Sequence, residues 1–130
     1  MATQHTDLTP AEWNVMECLW AHAPRTGREA VEDLAQRAGW SRSTTLTMLR
    51  RMTQKGLLRC EEIQGCNAYF PLISREEAVQ QETKDFLSRV YQGSISLMMS
   101  SMVQKQALSK EEMDQLYNIL QQAEEANQHD

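Results

Sequence analysis

A chain of 130 residues is long enough for one compact domain, or for a small domain with an extension. Apolar residues make up 41% of it, yet no apolar run approaches the roughly 20 residues of a membrane span, and Met1-Ala2-Thr3-Gln4-His5 lacks the layout of a secretory signal, so a cytoplasmic protein is expected. The net charge of −5 argues against nucleic-acid binding by the chain as a whole, and the odd, sparse cysteine set Cys18, Cys60 and Cys66 excludes a disulfide framework.

The first helix opens at Thr9-Pro10-Ala11-Glu12, a capping box with proline at the first helical position. Trp13, Met16, Leu19 and Trp20 follow at helical spacing, and Pro24 closes the segment. Thr26-Gly27-Arg28-Glu29 repeats the box ahead of a second helix with Val31, Leu34, Ala35 and Ala38 on one stripe, stopped by Gly39. Ser41 or Ser43 caps a third helix that runs to Gly56. Leu57-Leu58-Arg59-Cys60 and Ala68-Tyr69-Phe70 flank the turn signal Gln64-Gly65 and read as a hairpin ended by Pro71. Ser74-Arg75-Glu76-Glu77 caps a fourth helix with Val79, Phe86, Leu87, Val90 and Tyr91, interrupted at Gly93. A fifth segment places Ile95, Met98, Met99, Met102 and Val103 on one stripe, and Ser109-Lys110-Glu111-Glu112 caps a last helix with Met113, Leu116, Tyr117 and Leu120. The fold expected is mainly α with a small β-hairpin wing. Residues 1–73 form a winged helix-turn-helix head and residues 74–130 a three-helix dimerisation arm.

Charge is unevenly spread along this order. Residues 34 to 60 hold Arg37, Arg42, Arg50, Arg51, Lys55 and Arg59 and no acid, whereas Glu76 to Asp130 holds four basic residues against ten acidic ones. A basic island ahead of an acidic tail is expected where one part touches nucleic acid and the other does not. On a wheel of about 100° per residue, Thr45, Met48, Leu49 and Met52 face the core, and Ser43, Thr47, Arg50 and Gln54 face outward, flanked by Leu46 and Arg51. Arginine pairs bidentately with guanine, hydroxyls read either base edge, and Leu46 would press on a thymine methyl. Arg42 and Arg51 suit phosphates, which position a protein without reading sequence. The DNA-binding set expected is therefore Arg42, Ser43, Thr44, Leu46, Thr47, Arg50, Arg51 and Gln54.

Ala11-Glu12-Trp13-Asn14-Val15-Met16 and Thr44-Thr45-Leu46-Thr47-Met48-Leu49-Arg50-Arg51-Met52, ending in Lys55-Gly56, resemble the penicillinase-repressor (BlaI/MecI/CopY-type) family of transcriptional regulators. Tyr69, Leu72 and the Val90-Tyr91 … Gly93 segment fit as well, so the resemblance spans about Leu8 to Leu120. It implies a repressor that binds a palindromic double-stranded DNA operator as a homodimer, with an arm that intertwines with its twin. It also implies release by a sensor-controlled protease in the β-lactam branch, or by metal in the copper branch. The copper branch carries a Cys-x-Cys pair near its C-terminus, and no cysteine follows Cys66 here. The Asn-Phe bond cut in the β-lactam branch is matched by Ser101-Met102, inside the Ser94–Val103 stretch whose serines weaken helix propensity. The wing, usually basic at its tip, carries Glu61 and Glu62 and is not assigned to DNA.

Pairing is expected through Phe86, Val90, Ile95, Met98, Met99, Met102, Met113, Leu116, Tyr117 and Leu120, because an arm of this size cannot bury three amphipathic helices alone. His5, His22 and His129 have no metal spacing and no nucleophile–base set is present, so neither an enzyme nor a metal or cofactor is expected. Two alternatives stand beside the repressor: a winged-helix adaptor for protein partners, favoured by the acidic wing, and a repressor sensing metal or redox state through Cys60 and Cys66.

Overall fold

The computed structural model describes residues 7–128, so the N-terminal pentapeptide and His129 lie outside the described residues. Helix α1 (Pro10–Ala21) begins as its capping box requires: the Thr9 hydroxyl accepts from the Glu12 N–H at 3.1 Å, and the Thr9 N–H donates to the Glu12 carboxylate at 2.9 Å. Strand β1 (Arg25–Thr26) leads into α2 (Gly27–Ala38), whose box joins Thr26 and Glu29 in the same way. Gly39, at φ 71°, ends α2 in the left-handed conformation that favours glycine. Ser41, rather than Ser43, caps α3 (Arg42–Lys55) by accepting from the Thr44 N–H at 3.2 Å.

Strands β2 (Leu58–Ile63) and β3 (Cys66–Pro71) form the hairpin. Ile63 pairs with Cys66, so Gln64 and Gly65 make a two-residue turn with φ of 54° and 83°, the mirror-image turn that matches strand twist. The sequence did not reveal β1, which pairs with β3 through Arg25↔Tyr69 and Thr26↔Ala68 and turns the hairpin into a three-stranded antiparallel sheet of order β1-β3-β2.

The head's core is built from Val15, Met16, Cys18 and Leu19 of α1, Ala30 and Leu34 of α2, Leu49 and Met52 of α3, and Leu58 of β2, all essentially inaccessible. Ala35, expected on the apolar stripe of α2, is exposed, and Ala30 takes the buried position instead. Met48, expected in the core, is half-buried against it.

Helix α4 (Arg75–Tyr91) opens with the expected Ser74–Glu77 box. The chain divides into compact units after Asp85, not at residue 73, and the contacts show why. The Trp20 indole N–H donates to the Ile73 carbonyl at 3.0 Å, the Arg75 guanidinium grips Glu17 through two 3.2 Å bonds, and Ala78 is buried in the head's core. The first turns of α4 thus belong to the head.

In the second unit, α4 ends where Gly93, at φ 81°, donates to the Leu87 carbonyl at 2.8 Å. Ser94 then caps α5 (Ile95–Gln104), and a Ser109–Glu112 box opens α6 (Lys110–Gln128). The Ser94–Val103 stretch is thus helical, as its apolar stripe led one to expect. Neither α5 nor α6 buries a single residue.

Candidate nucleic-acid interface

Three side chains of α3, Thr45, Leu49 and Met52, are fully buried and fix how the helix is rotated. The opposite face follows from that anchoring: Arg42, Ser43, Thr44, Arg50, Arg51 and Gln54 are exposed and Thr47 is half-exposed. The first turn is pre-ordered, since the Ser41 hydroxyl donates to the Thr44 hydroxyl at 3.0 Å and lies 3.3 Å from that of Ser43. Leu46 departs from expectation. It is half-buried against the core, and its Cδ2 lies 3.4 Å from where a Cβ on Gly27 would stand, so it packs on the start of α2 rather than pointing freely outward.

Ion pairs sort the basic residues. Arg37 donates to Asp33 at 2.8 Å, Lys55 to Glu12 at 2.8 Å, and Arg59 lies 3.2 Å from Glu61 with its guanidinium 4.1 Å over the Phe70 ring. Outside the island, Arg25, Arg28 and Arg75 face Asp33, Glu32 and Glu17. Among the described residues, Arg42, Arg50 and Arg51 have no acidic partner. Half of the basic island is thus neutralised by acids, and its unpaired positive charge lies on α3.

These pairs also set protonation states. Burial pushes the Glu12 carboxyl up, but the Lys55 ammonium and the Thr9 N–H outweigh it and hold it below its ordinary value. The Arg37 hydrogen bond holds Asp33 down in turn. Burial, reinforced by Asp33, pushes the Cys18 thiol up to about 12, which leaves it an inert core residue.

Strand register overturns the sensing pair. Cys60 lies opposite Tyr69 and Cys66 opposite Ile63, three positions further along. Side chains alternate faces along a strand, so the two thiols point to opposite sides and stand about 10 Å apart along the ladder. They cannot share a metal ion or close a disulfide without breaking the hairpin.

In the second unit, Phe86, Val90, Ile95, Met113, Tyr117 and Leu120 are exposed as a pairing surface requires, while Met98, Met99, Met102 and Leu116 are half-buried. Leu97 of α5 and Ile119 of α6 are further exposed apolar side chains, and Ile119 follows Leu116 at helical spacing. Ser101 and Met102, the pair aligned with the cleavage position, are half-buried in the last turns of α5.

Three helices, the third with a cationic outer face, and a two-stranded hairpin define a winged-helix head. The chain matches the family described as penicillinase repressor over residues 8–122, and it belongs to that family. It is 30% identical over 115 residues to the penicillinase repressor of Bacillus licheniformis, covering 88% of this chain and 90% of that one. It is 26% identical over 114 residues to the methicillin resistance regulatory protein MecI of Staphylococcus aureus strain N315, covering 88% and 93%. Its fold matches the solution structure of the DNA-binding domain of the repressor BlaI with a TM-score of 0.51 and 28% identity, covering 58% of this chain and 93% of that one. The Bacillus licheniformis BlaI monomer in complex with the blaP half-operator matches equally, at 0.51 and 28%, covering 57% and 90%. Membership places the chain among winged-helix repressors rather than enzymes. No helix among the described residues is long and apolar enough to cross a membrane.

Proposed function

We propose that this chain is a cytoplasmic repressor that binds palindromic operators of β-lactam-resistance-type or related genes as a homodimer, reading bases with α3. The observation that carries the reading is the outer face of α3, where Arg42, Arg50 and Arg51 stand exposed and without acidic partners, next to the hydroxyls of Ser43, Thr44 and Thr47. Arg50 and Thr47 lie on the face turned away from the buried stripe and take the base-reading role; Arg42 and Arg51 take phosphates. The BlaI half-operator complex supports duplex DNA as the ligand. Pairing is supported by an arm in which α5 and α6 bury nothing within one protomer, leaving Ile95, Tyr117 and Leu120 at 60%, 69% and 67% exposure. Release by cleavage within α5 is supported by its three serines, Ser96, Ser100 and Ser101, poor helix formers that ease local opening.

Arg50→Ala tests the assignment. It is expected to weaken operator binding by about 1–3 kcal/mol and to relax preference at one position per half-site. Unchanged affinity across a panel of operator variants would refute the face chosen, and a monomeric sedimentation profile in complex with a two-half-site operator would refute the pairing.

A further inference from the structure

Strand β2 stands at the edge of the three-stranded sheet, and among the described residues no further strand pairs with it. The hairpin register decides which backbone groups that edge presents. Ile63 and Cys66 flank the two-residue turn and form a hydrogen-bonded pair, so Glu61 with Ala68 and Arg59 with Phe70 do the same. The Leu72 N–H, donating to the Leu57 carbonyl at 3.0 Å, continues this alternation beyond the strand. Leu58, Cys60 and Glu62 hold the intervening positions, and their N–H and C=O groups point away from β3. Pro71, which has no N–H to offer, lies opposite Leu58, as the alternation requires. Leu58 is buried, whereas Arg59, Cys60, Glu61, Glu62 and Ile63 are exposed.

An exposed edge with unpaired backbone groups is a template for another strand, and the charges along it decide which strands are admitted. Here they admit a second copy of β2. Two copies related by a two-fold axis run antiparallel, and their outward-pointing residues meet one another. An axis at Arg59 sets arginine against arginine, and an axis at Glu61 or Glu62 sets glutamate against glutamate. An axis at Leu58 falls on a buried residue at the strand's end. An axis at Cys60 instead sets Arg59 of each copy against Glu61 of the other, with Cys60 facing Cys60. Opposite charges directly across a ladder stabilise it and like charges destabilise it. We propose that β2 pairs with β2 of a second copy about Cys60, joining two heads edge to edge in one continuous sheet. The two Cys60 residues exchange a pair of backbone hydrogen bonds, and Arg59 and Glu61 from both copies form an alternating cluster on one face. Within one copy these two side chains stand 3.2 Å apart and remain 48% and 52% exposed, which leaves donors and acceptors for the second copy. So few residue pairs make a weak contact, which forms where copies are already held close together. It uses none of the residues assigned to DNA.

In the full-length Cys66→Ser variant, Cys60 is the exposed thiol, since Cys18 is buried. Dibromobimane joins two neighbouring thiols, each displacing one bromide, and the product runs as a covalent dimer on a denaturing gel. Its rate is divided by that of single labelling with monobromobimane, which corrects for thiol reactivity. Cys60 is expected to cross-link severalfold faster than a cysteine introduced by Glu62→Cys in a Cys60→Ser, Cys66→Ser background. In the proposed register the two copies of residue 62 stand four positions apart along the ladder, about 14 Å. Glu61→Arg, which sets arginine against arginine, is expected to slow the Cys60 cross-link severalfold, and adding Arg59→Glu to it is expected to restore the rate. Circular dichroism matching that of the parent chain confirms the fold of each variant. Equal normalised rates from positions 60 and 62 would mark random collision between heads and overturn the register. No cross-link at Cys60, or a charge-swapped double variant that stays as slow as Glu61→Arg, would overturn the pairing itself.

Discussion

Glu12→Gln offers a direct test of how the reading helix is held. The Glu12 carboxylate is 10% exposed and joins two elements: it accepts the Thr9 N–H at 2.9 Å at the start of α1 and the Lys55 ammonium at 2.8 Å at the end of α3. Glutamine keeps an acceptor for Thr9 but turns the bond to Lys55 into a meeting of two donors. A charge-assisted hydrogen bond contributes about 1.5–3 kcal/mol, and because Lys55 is 52% exposed, solvent screening brings the expected loss down to about 1–2 kcal/mol. The pH dependence carries the sharper signature. The folded carboxyl is held below its ordinary 4.5, so the native state binds the proton more weakly than the unfolded chain does. Its stabilising contribution is complete above the unfolded value and fades as pH falls through the folded one. Urea melts of the full chain at pH 7 and from pH 5 downward are expected to separate the two proteins at neutral pH and bring them together in acid. A gap between the melting midpoints that stays constant from pH 7 to pH 3 would refute the ion pair as the source of the effect.

Two further predictions follow from buried groups. The Thr45 hydroxyl is fully buried and has no hydrogen-bond partner among the described residues, so the isosteric Thr45→Val is expected to stabilise the head by about 1 kcal/mol. A lower melting temperature for the variant would show that the hydroxyl is satisfied in solution. A head fragment ending at Asp85 is expected to unfold at higher urea than one ending at Leu72, because only the longer one keeps Ala78 in the core and the Arg75–Glu17 pair; equal midpoints would return the head's boundary to residue 73.

Local signals were legible in the sequence wherever the physics was local. Thr9, Thr26, Ser74 and Ser109 announced four helix starts because a capping box closes over three residues, and Gly39 and Gly56 announced two ends because left-handed backbone favours glycine. Gln64-Gly65 fixed the hairpin register for the same reason. What escaped was non-local. Lys55 meets Glu12 from 43 positions away, so counting charges within a window overstated the free positive charge, and Arg75 meets Glu17 from 58. Strand β1 is two residues long and exists only because β3 offers it an edge. Ala30 and Ala35 are equally apolar, and only the packing of α2 against its neighbours decides which is buried. Leu46 falls on the outward half of an ideal wheel, but the wheel contains no α2 for it to lean on.

The sorting of arginines has a kinetic consequence. Six head cations are masked by acids at close range, whereas among the described residues Arg42, Arg50 and Arg51 on α3 are not, within a chain whose net charge is −5. To an approaching polyanion the head is most attractive on the side that α3 presents. The long-range field then acts as a rudder: it turns the head so that α3 leads, discards encounters made back-first, and shortens the search for a productive docking pose. Because this steering reaches only about 8–10 Å at physiological ionic strength, it governs the last approach rather than the capture from afar, and added salt would blunt orientation as well as affinity.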